Sequence, residues 1–227
     1  MAFALLCGCG EVLEDPEEET GLSGGAQGLW WMERDVQASR PLHGANVVRF
    51  DPGEGAGFGK SYMPGVVLGE PRGGGERQGS LDVVSLGVGG EIVLDFGQGV
   101  LRDGPGVDLI VFENAFVYGA GAIFSEPAQI AVSLDGEQWF SFACDVESGE
   151  GCAGQTPTME DASMLLGLDV WEPELAAMVG GDGFDLAQVG LDAVRYVKVT
   201  DVSSGSAIAP SAGFDLDAVT ALYGVLP

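Results

Sequence analysis

Residues 103–116 read DGPGVDLIVFENAF. A Gly- and Pro-rich turn precedes an apolar run over 107–112, which only Asp108 interrupts, and Glu113 and Asn114 follow the run directly. A run this short between turns is too brief for a helix, and apolar residues on both faces are typical of a strand buried on both sides. The stretch therefore predicts a central strand with a carboxylate at each end. Burial of those carboxylates requires a positive partner or hydrogen-bond donors.

A second stretch of the same character lies near the C-terminus, where residues 213–219 read GFDLDAV. Asp215 and Asp217 alternate with apolar residues at the mouth of a strand predicted over 216–223. An inward carboxylate at such a position needs a cation or backbone N–H donors. We expect this strand to be the partner of the central strand.

The other apolar runs are short and bounded by turns, which is typical of strands. They lie at 47–50, 81–86, 91–96, 128–133 and 194–200. We expect 81–86 and 91–96 to pair around the glycine-rich turn 87–90, and Asp135-Gly136 to form a type I′ hairpin turn that returns through Trp139. The 227 residues include 38 Gly and 11 Pro and show no helical repeat. This pattern predicts an all-β protein, an antiparallel β-sandwich of the jelly-roll type.

The first residues resemble the end of a bacterial lipoprotein signal peptide. The alternative is a chance apolar start, since a basic segment is missing and the apolar stretch is very short. Residues 1–10 read MAFALLCGCG, in which Leu6 and Gly8 occupy the lipobox positions before Cys9. Residues 11–28 are rich in acids, Gly and Ser, a composition typical of a solvated tether. We therefore expect a signal remnant and acidic tether over 1–28 and one sandwich domain over 29–227. Acylation of Cys9 would anchor the protein outside the cytoplasm, at the bacterial outer membrane or cell surface.

Cys144 and Cys152 bracket the polar loop DVESGEG. In an extracytoplasmic chain, this spacing favours a disulfide over two free thiols. A zinc site is not indicated, since the spacing of zinc ligands is absent.

The formal net charge is −26, from 35 Asp and Glu against 9 Lys and Arg. Such a chain repels nucleic acid and anionic membrane surfaces, so we expect no nucleic-acid partner and membrane contact only through the lipid anchor. The same charge attracts divalent cations or basic proteins. The alternative explanation is an acidic surface that keeps the protein soluble or suits it to high salt.

Six blocks of the chain, taken together, resemble one family. They are SLGVGGEIVLDF (85–96), DGPGVDLIVFENAF (103–116), EPAQIAVSLDGEQW (126–139), GFDLA (183–187), VRYVKVTD (194–201) and GFDLDAV (213–219). The family is a group of bacterial cell-surface proteins whose domain is a galactose-binding-like jelly roll, similar to discoidin-type and carbohydrate-binding sandwiches. The resemblance implies that fold, often with a structural calcium ion, and it implies no established activity.

The residues at the strand ends suggest where such an ion would bind. Carboxylates and amide carbonyls are the hard oxygen donors that calcium prefers. The candidate ligands are Asp108, Glu113, Asn114, Glu126, Asp215 and Asp217. The alternative is that these side chains only cap turns. Residues 180–187, GGDGFDLA, match one calcium-binding nonapeptide of β-helix toxins, but a glycine turn leading into a packed corner explains them as well.

Catalysis is not favoured by the sequence. The only histidine, His43, is predicted in a surface loop, and no recognisable nucleophile motif is present. The preferred hypothesis is a non-catalytic, calcium-stabilised adhesion module that binds a polysaccharide or other glycan, or a surface protein. Candidate sugar-stacking aromatics are Trp30, Trp31, Tyr62 and Trp171. The alternative is an extracytoplasmic glycosidase that uses Glu113 and Glu126 as paired carboxylates.

Overall fold

A computed structural model describes residues 30–33, 40–167, 175–204 and 208–227. In this part of the chain strands predominate, and the helices are short. The strands are β1 (Arg40–His43), β2 (Asn46–Asp51), β3 (Val84–Ser85), β4 (Glu91–Asp95), β5 (Val100–Arg102), β6 (Leu109–Glu113), β7 (Phe116–Tyr118), β8 (Ala122–Phe124), β9 (Ala128–Ser133), β10 (Phe140–Ser141), β11 (Asp182–Phe184), β12 (Ala193–Val194), β13 (Tyr196–Asp201) and β14 (Asp215–Val225). The α-helices are α1 (Ala162–Leu166) and α2 (Ala176–Val179), and 3-10 helices lie at Trp30–Glu33, Lys60–Tyr62, Gly65–Val67 and Leu186–Val189.

Twelve of the strands form two antiparallel sheets that enclose one main core, and β7 and β8 form a separate two-stranded hairpin. One sheet has the order β11-β6-β14-β5-β12, with β1 and β3 also paired to β14, and the other has the order β10-β9-β13-β4-β2. Both sheets contribute fully buried side chains to the same cluster, among them Phe112 and Leu216 from the first and Leu94 and Ile130 from the second. The predicted all-β antiparallel sandwich is therefore confirmed.

The central strand lies where the sequence predicted. All of β6 is buried, and it lies between β11 and β14. Its antiparallel partner β14 pairs Val219 with Val111 and Leu216 with Glu113, which confirms the predicted partnership of the two stretches. A register shift between Leu216 and Ala218 marks a bulge at Asp217.

The predicted pairing of 81–86 with 91–96 is wrong. β3 pairs with β14 in the seven-stranded sheet, whereas β4 pairs with β2 and β13 in the other sheet. The glycine-rich segment 87–90 instead carries the chain from one sheet to the other. Its backbone is held by neighbouring loops, because Gly87 N donates to Ala212 O and Val88 N donates to Glu54 O. Sequence proximity suggested a hairpin, but these distant contacts decide the topology.

Two other predictions need adjustment. The run 194–200 is divided between β12 and β13, which belong to different sheets and are separated by Arg195. The β9–β10 hairpin is confirmed, but its connection runs over 134–139 and is not a two-residue turn. Asp135 organises this longer loop, since its Oδ1 accepts hydrogen bonds from the backbone N–H groups of Glu137 and Gln138, each at 2.8 Å.

The disulfide prediction is confirmed, because Cys144 and Cys152 are bonded with a Cα–Cα distance of 4.6 Å. The predicted glycine turn and packed corner at 180–187 are also present. Gly180 has a φ of 74°, and Phe184 and Leu186 are buried.

Replacing both Cys144 and Cys152 with Ser should lower the free energy of unfolding. A sequence separation of 8 closes a short loop, for which the loss of unfolded-state entropy is worth about 2.5 kcal/mol. Urea unfolding of the wild type with and without reductant measures this difference. The double variant should give the same midpoint in both conditions, and an unchanged wild-type midpoint after verified reduction would contradict the prediction.

Several predictions concern residues outside the described part of the chain. They are the lipidated Cys9, the tether over 1–28, the start of the domain at residue 29, and Trp171. In the described residues, no helix has the length and apolar character needed to span a bilayer.

Candidate metal centre

Glu113 ends the central strand with a carboxylate that the protein leaves unsatisfied. Its side chain is 1% exposed, and neither Oε1 nor Oε2 has a hydrogen-bond partner within the described residues. Its backbone oxygen, in contrast, accepts a hydrogen bond from Thr158 Oγ1 at 3.0 Å. A buried carboxylate without donors is expensive, because it loses its hydration and gains nothing in return.

Asp215 lies beside Glu113 because of the register of three strands. Leu216 pairs with Glu113, and Asp215 pairs with Ser85 on β3. Ser85 Oγ donates a short hydrogen bond to Asp215 Oδ1, and Asn114 Nδ2 lies 3.5 Å from Asp215 Oδ2. The Asn114 Oδ1 atom is buried and has no partner in the described residues. An amide oxygen and a carboxylate are thus both unsatisfied at the same strand end.

Glu126 approaches the same place from the segment before β9. Its Oε1 accepts a hydrogen bond from Gly213 N at 3.1 Å. Gly213 has a φ of 71°, and a Cβ there would lie 2.6 Å from the Gly87 carbonyl, so this donor position requires glycine. The β7–β8 hairpin leaves the sheet after Asn114 and returns just before Glu126, so both of its ends meet this group.

We call Glu113, Asn114, Glu126 and Asp215 together the Glu113 cluster. Asn114 contacts Asp215, and the charges of Asp215 and Glu126 act on the Glu113 carboxyl. Burial raises the pKa of Glu113 well above its usual value, and the charges of Asp215, Glu126 and Asp182 add to the increase. The Asp215 backbone N–H opposes this rise in the Glu113 pKa, but no hydrogen bond of normal geometry reaches either oxygen.

The pKa values of the other two carboxyls of the Glu113 cluster, Glu126 and Asp215, are also raised. Burial, followed by the charges of Asp215 and Asp201, raises the pKa of Glu126 to about 7. Burial also raises the pKa of Asp215, against the hydrogen bonds from Ser85 and Asn114. No ion pair among the described residues involves these carboxylates, since the pairs there use Asp51 and Glu91. Among the described residues no cation is paired with these carboxyls to offset the charge that they carry when ionised.

Asp182 and Asp201 flank the cluster and were not among the predicted ligands. Both are already satisfied: Asp182 Oδ2 accepts from Gly154 N at 2.7 Å, and Asp201 Oδ1 accepts from Phe214 N at 2.8 Å. A sequence signal was available for Asp201, because it ends the run 194–201 just as Glu113 ends the central strand.

Asp217 is not brought into the cluster. Both of its carboxylate oxygens accept from the backbone N–H of Arg72, at 2.8 and 3.1 Å. Burial raises its pKa to about 7, while its charged neighbours are Arg72 and Asp82. The bulge on β14 explains the separation, because it interrupts the alternation that would place Asp217 with Asp215.

Asp108 lies at the other end of β6 from Glu113. Glu113 lies five positions after Asp108, which along a strand is about 16 Å and too far for the two to share an ion. Asp108 accepts hydrogen bonds from Gly104 N and Leu186 N, both at 2.7 Å. Its carboxylate gathers with those of Asp103 and Asp185, whose ligand atoms all lie within 4.8 Å of one another.

The donor atoms of the Glu113 cluster are of one chemical kind. The cluster supplies two unpartnered Glu113 oxygens, the unpartnered Asn114 Oδ1, and carboxylate oxygens of Glu126 and Asp215. These are all hard oxygen ligands of the kind that calcium prefers. Among the described residues, only the carboxylates of Asp103, Asp108 and Asp185 all lie within 4.8 Å of one another. An ion at the Glu113 cluster would therefore have to draw the carboxylates of Glu113, Glu126 and Asp215 closer together. A divalent cation would satisfy the orphaned atoms and offset the mutual repulsion of the acids.

The only histidine and the candidate sugar-stacking aromatics lie in surroundings that differ from those predicted. His43 is not in a loop but in β1, where its Nδ1 lies 2.9 Å from Thr220 Oγ1. Among the aromatics, Trp31 is buried with Val100 and Val225, whereas Tyr62 is 74% exposed.

Comparison with protein-family models and with curated proteins finds no match to this chain. The function is therefore inferred from the arrangement of the residues.

Proposed function

We propose that this protein is a non-catalytic, calcium-stabilised binding module that acts outside the cytoplasm. The observation that carries this proposal is the buried Glu113 carboxylate, which has no protein partner among the described residues and adjoins two further acids. The finer assignment is a jelly roll of the galactose-binding-like type, held at the cell surface by acylated Cys9. Its support is the resemblance of the six sequence blocks, together with a disulfide typical of oxidising compartments.

The glycosidase alternative has one observation in its favour: the pKa of Glu126, raised to about 7, suits a general acid. Its partner in that mechanism would be Glu113, as nucleophile or base. At 1% exposure, however, Glu113 is too enclosed to touch a sugar ring. A ligand role requires only an ion to reach it, and we therefore propose binding rather than hydrolysis.

Calcium titration of chelator-treated protein, followed by calorimetry, tests the proposal. We expect one tight site per chain, and a Glu126→Gln variant should bind calcium at least about tenfold more weakly, because it loses a charged ligand. Glu137→Gln removes one exposed carboxylate from the β9–β10 loop and should bind like the wild type. Magnesium should bind much more weakly, because it gives up its water reluctantly.

The same samples distinguish the alternatives. Absence of calcium binding, or equal affinity in Glu126→Gln and the wild type, would refute the metal centre. Release of reducing sugar from a polysaccharide panel by the wild type, and its loss in Glu113→Gln, would favour the glycosidase.

A further inference from the structure

The outer face of the five-stranded sheet carries a groove that the metal centre does not use. Its cavity is about 370 Å³ and is lined by Val48, Arg49, Val93, Asp135, Gly136, Trp139 and Tyr196. We call it the Trp139 groove. Its volume lies within the range of small-molecule sites.

Strand alternation explains why this groove faces away from the core. On β13, Val197 and Val199 belong to the core cluster, whereas Tyr196 and Lys198 alternate with them. In register, Lys198 pairs with Val93 on β4, and Val93 pairs with Arg49 on β2. The β9–β10 loop then brings Asp135 and Trp139 to the edge of this face.

We infer that the Trp139 groove binds a neutral sugar residue of a glycan, which gives the proposed binding module its ligand class and rests on that proposed function. Trp139 and Tyr196 are half-buried and offer aromatic surface of the kind that packs against the C–H face of a pyranose ring. The Trp139 indole N–H and the Tyr196 hydroxyl make no hydrogen bond to any described residue, so both remain available to sugar hydroxyls.

The carboxylate of Asp135 is fixed by hydrogen bonds and can also bind sugar hydroxyls. Its Oδ1 accepts from Glu137 N and Gln138 N, which leaves Oδ2 without a partner in the described residues. A fixed carboxylate oxygen beside an aromatic ring can accept hydrogen bonds from two neighbouring hydroxyls of one sugar.

The charges of the groove argue against ionic ligands. Arg49 is paired with Asp51 and Glu91, and Lys198 Nζ lies 3.7 Å from Glu91 Oε2, so neither cation is free for an anionic ligand. The net charge of −26 repels such a ligand further. A cationic ligand would compete with Lys198 itself, whose Nζ lies 4.6 Å from the Trp139 ring centroid. A neutral, hydroxyl-rich ligand needs no free cation and is not repelled by the net charge. It would use the part of the Trp139 ring that faces the groove, whose lining does not include Lys198.

Affinity electrophoresis tests the inference with soluble polysaccharides of defined charge. The probes are a neutral β-glucan, galactomannan and arabinogalactan, with polygalacturonate as the anionic probe and choline as a competing cation. We expect at least one neutral polysaccharide to retard the wild type, and Trp139→Ala to weaken that binding about tenfold or more. Tyr196→Phe, which removes only a hydroxyl, should weaken it by a smaller factor. Tyr118→Ala removes an exposed tyrosine of β7 that does not line the groove, and this variant should bind like the wild type.

Failure of all neutral probes, or equal retardation of Trp139→Ala and the wild type, would overturn the inference. Retardation by polygalacturonate alone, or displacement of a neutral polysaccharide by choline, would do so as well. Calcium titration of the same variants separates this result from the proposed function. If the protein binds calcium but no glycan, the inference about the Trp139 groove is wrong and the calcium site stands. If it binds neither, the proposed binding module is wrong as well.

Discussion

Calcium should raise the melting temperature of the chelator-treated protein by about 5–10 °C when present at a hundredfold excess over its Kd. At that excess, an ion that binds only the folded state contributes about 2.7 kcal/mol, and a chain of this size gains about 2–4 °C for each kcal/mol. Differential scanning fluorimetry with calcium and then with chelator measures the shift.

Two variants test whether the calcium-dependent rise in melting temperature comes from the Glu113 cluster. Glu113→Gln should lose most of the calcium-dependent shift, because an amide supplies one neutral oxygen where the carboxylate supplies two charged ones. Asp217→Asn should keep the shift, because Asp217 already receives its hydrogen bonds from Arg72 N. Sodium at matched ionic strength should have little effect. If sodium stabilises as well as calcium, or if Glu113→Gln responds like the wild type, the cluster is not a calcium site.

In chelator, the protein should become less stable as the pH rises from about 4 to about 7. Burial raises the pKa of Asp217 to about 7, so the folded state keeps a proton that the unfolded chain has already lost. Stability from this group is therefore complete below the unfolded pKa of about 3.9, declines as the pH rises, and levels off above about 7. A shift of this size corresponds to roughly 4 kcal/mol for Asp217. Asp108 and Glu126, whose pKa values are also raised to about 7 by burial, add in the same direction.

Urea unfolding between about pH 4 and pH 8 measures this slope. Asp217→Asn should flatten it and should be more stable than the wild type at the alkaline end, since asparagine never ionises and still accepts from the Arg72 amide. Glu137→Gln also removes one negative charge, but from an exposed position, and should leave the slope unchanged. If both variants flatten the pH dependence of stability equally, that dependence comes from general charge repulsion in a chain of charge −26 and not from Asp217.

The predicted metal site shows how far local sequence patterns reach. Glu113, Asn114 and Asp215 lie together as expected, because β6 ends at Glu113, β14 begins at Asp215, and the two strands pair antiparallel. Asp217 and Asp108 have the same residue type and the same strand-end position, yet each has other partners. A bulge displaces Asp217, and the length of β6 separates Asp108 from Glu113.

The sequence by itself determined the all-β class, the central pairing of β6 with β14, and the disulfide between Cys144 and Cys152. Each of these follows from short-range pattern: runs of apolar residues, turn residues and cysteine spacing. Only the tertiary structure decided that β3 and β4 belong to different sheets, and that Trp139, Tyr196 and Asp135 share one groove. The physical reason is that these arrangements depend on hydrogen bonds and packing between segments far apart in the chain, which no local periodicity encodes.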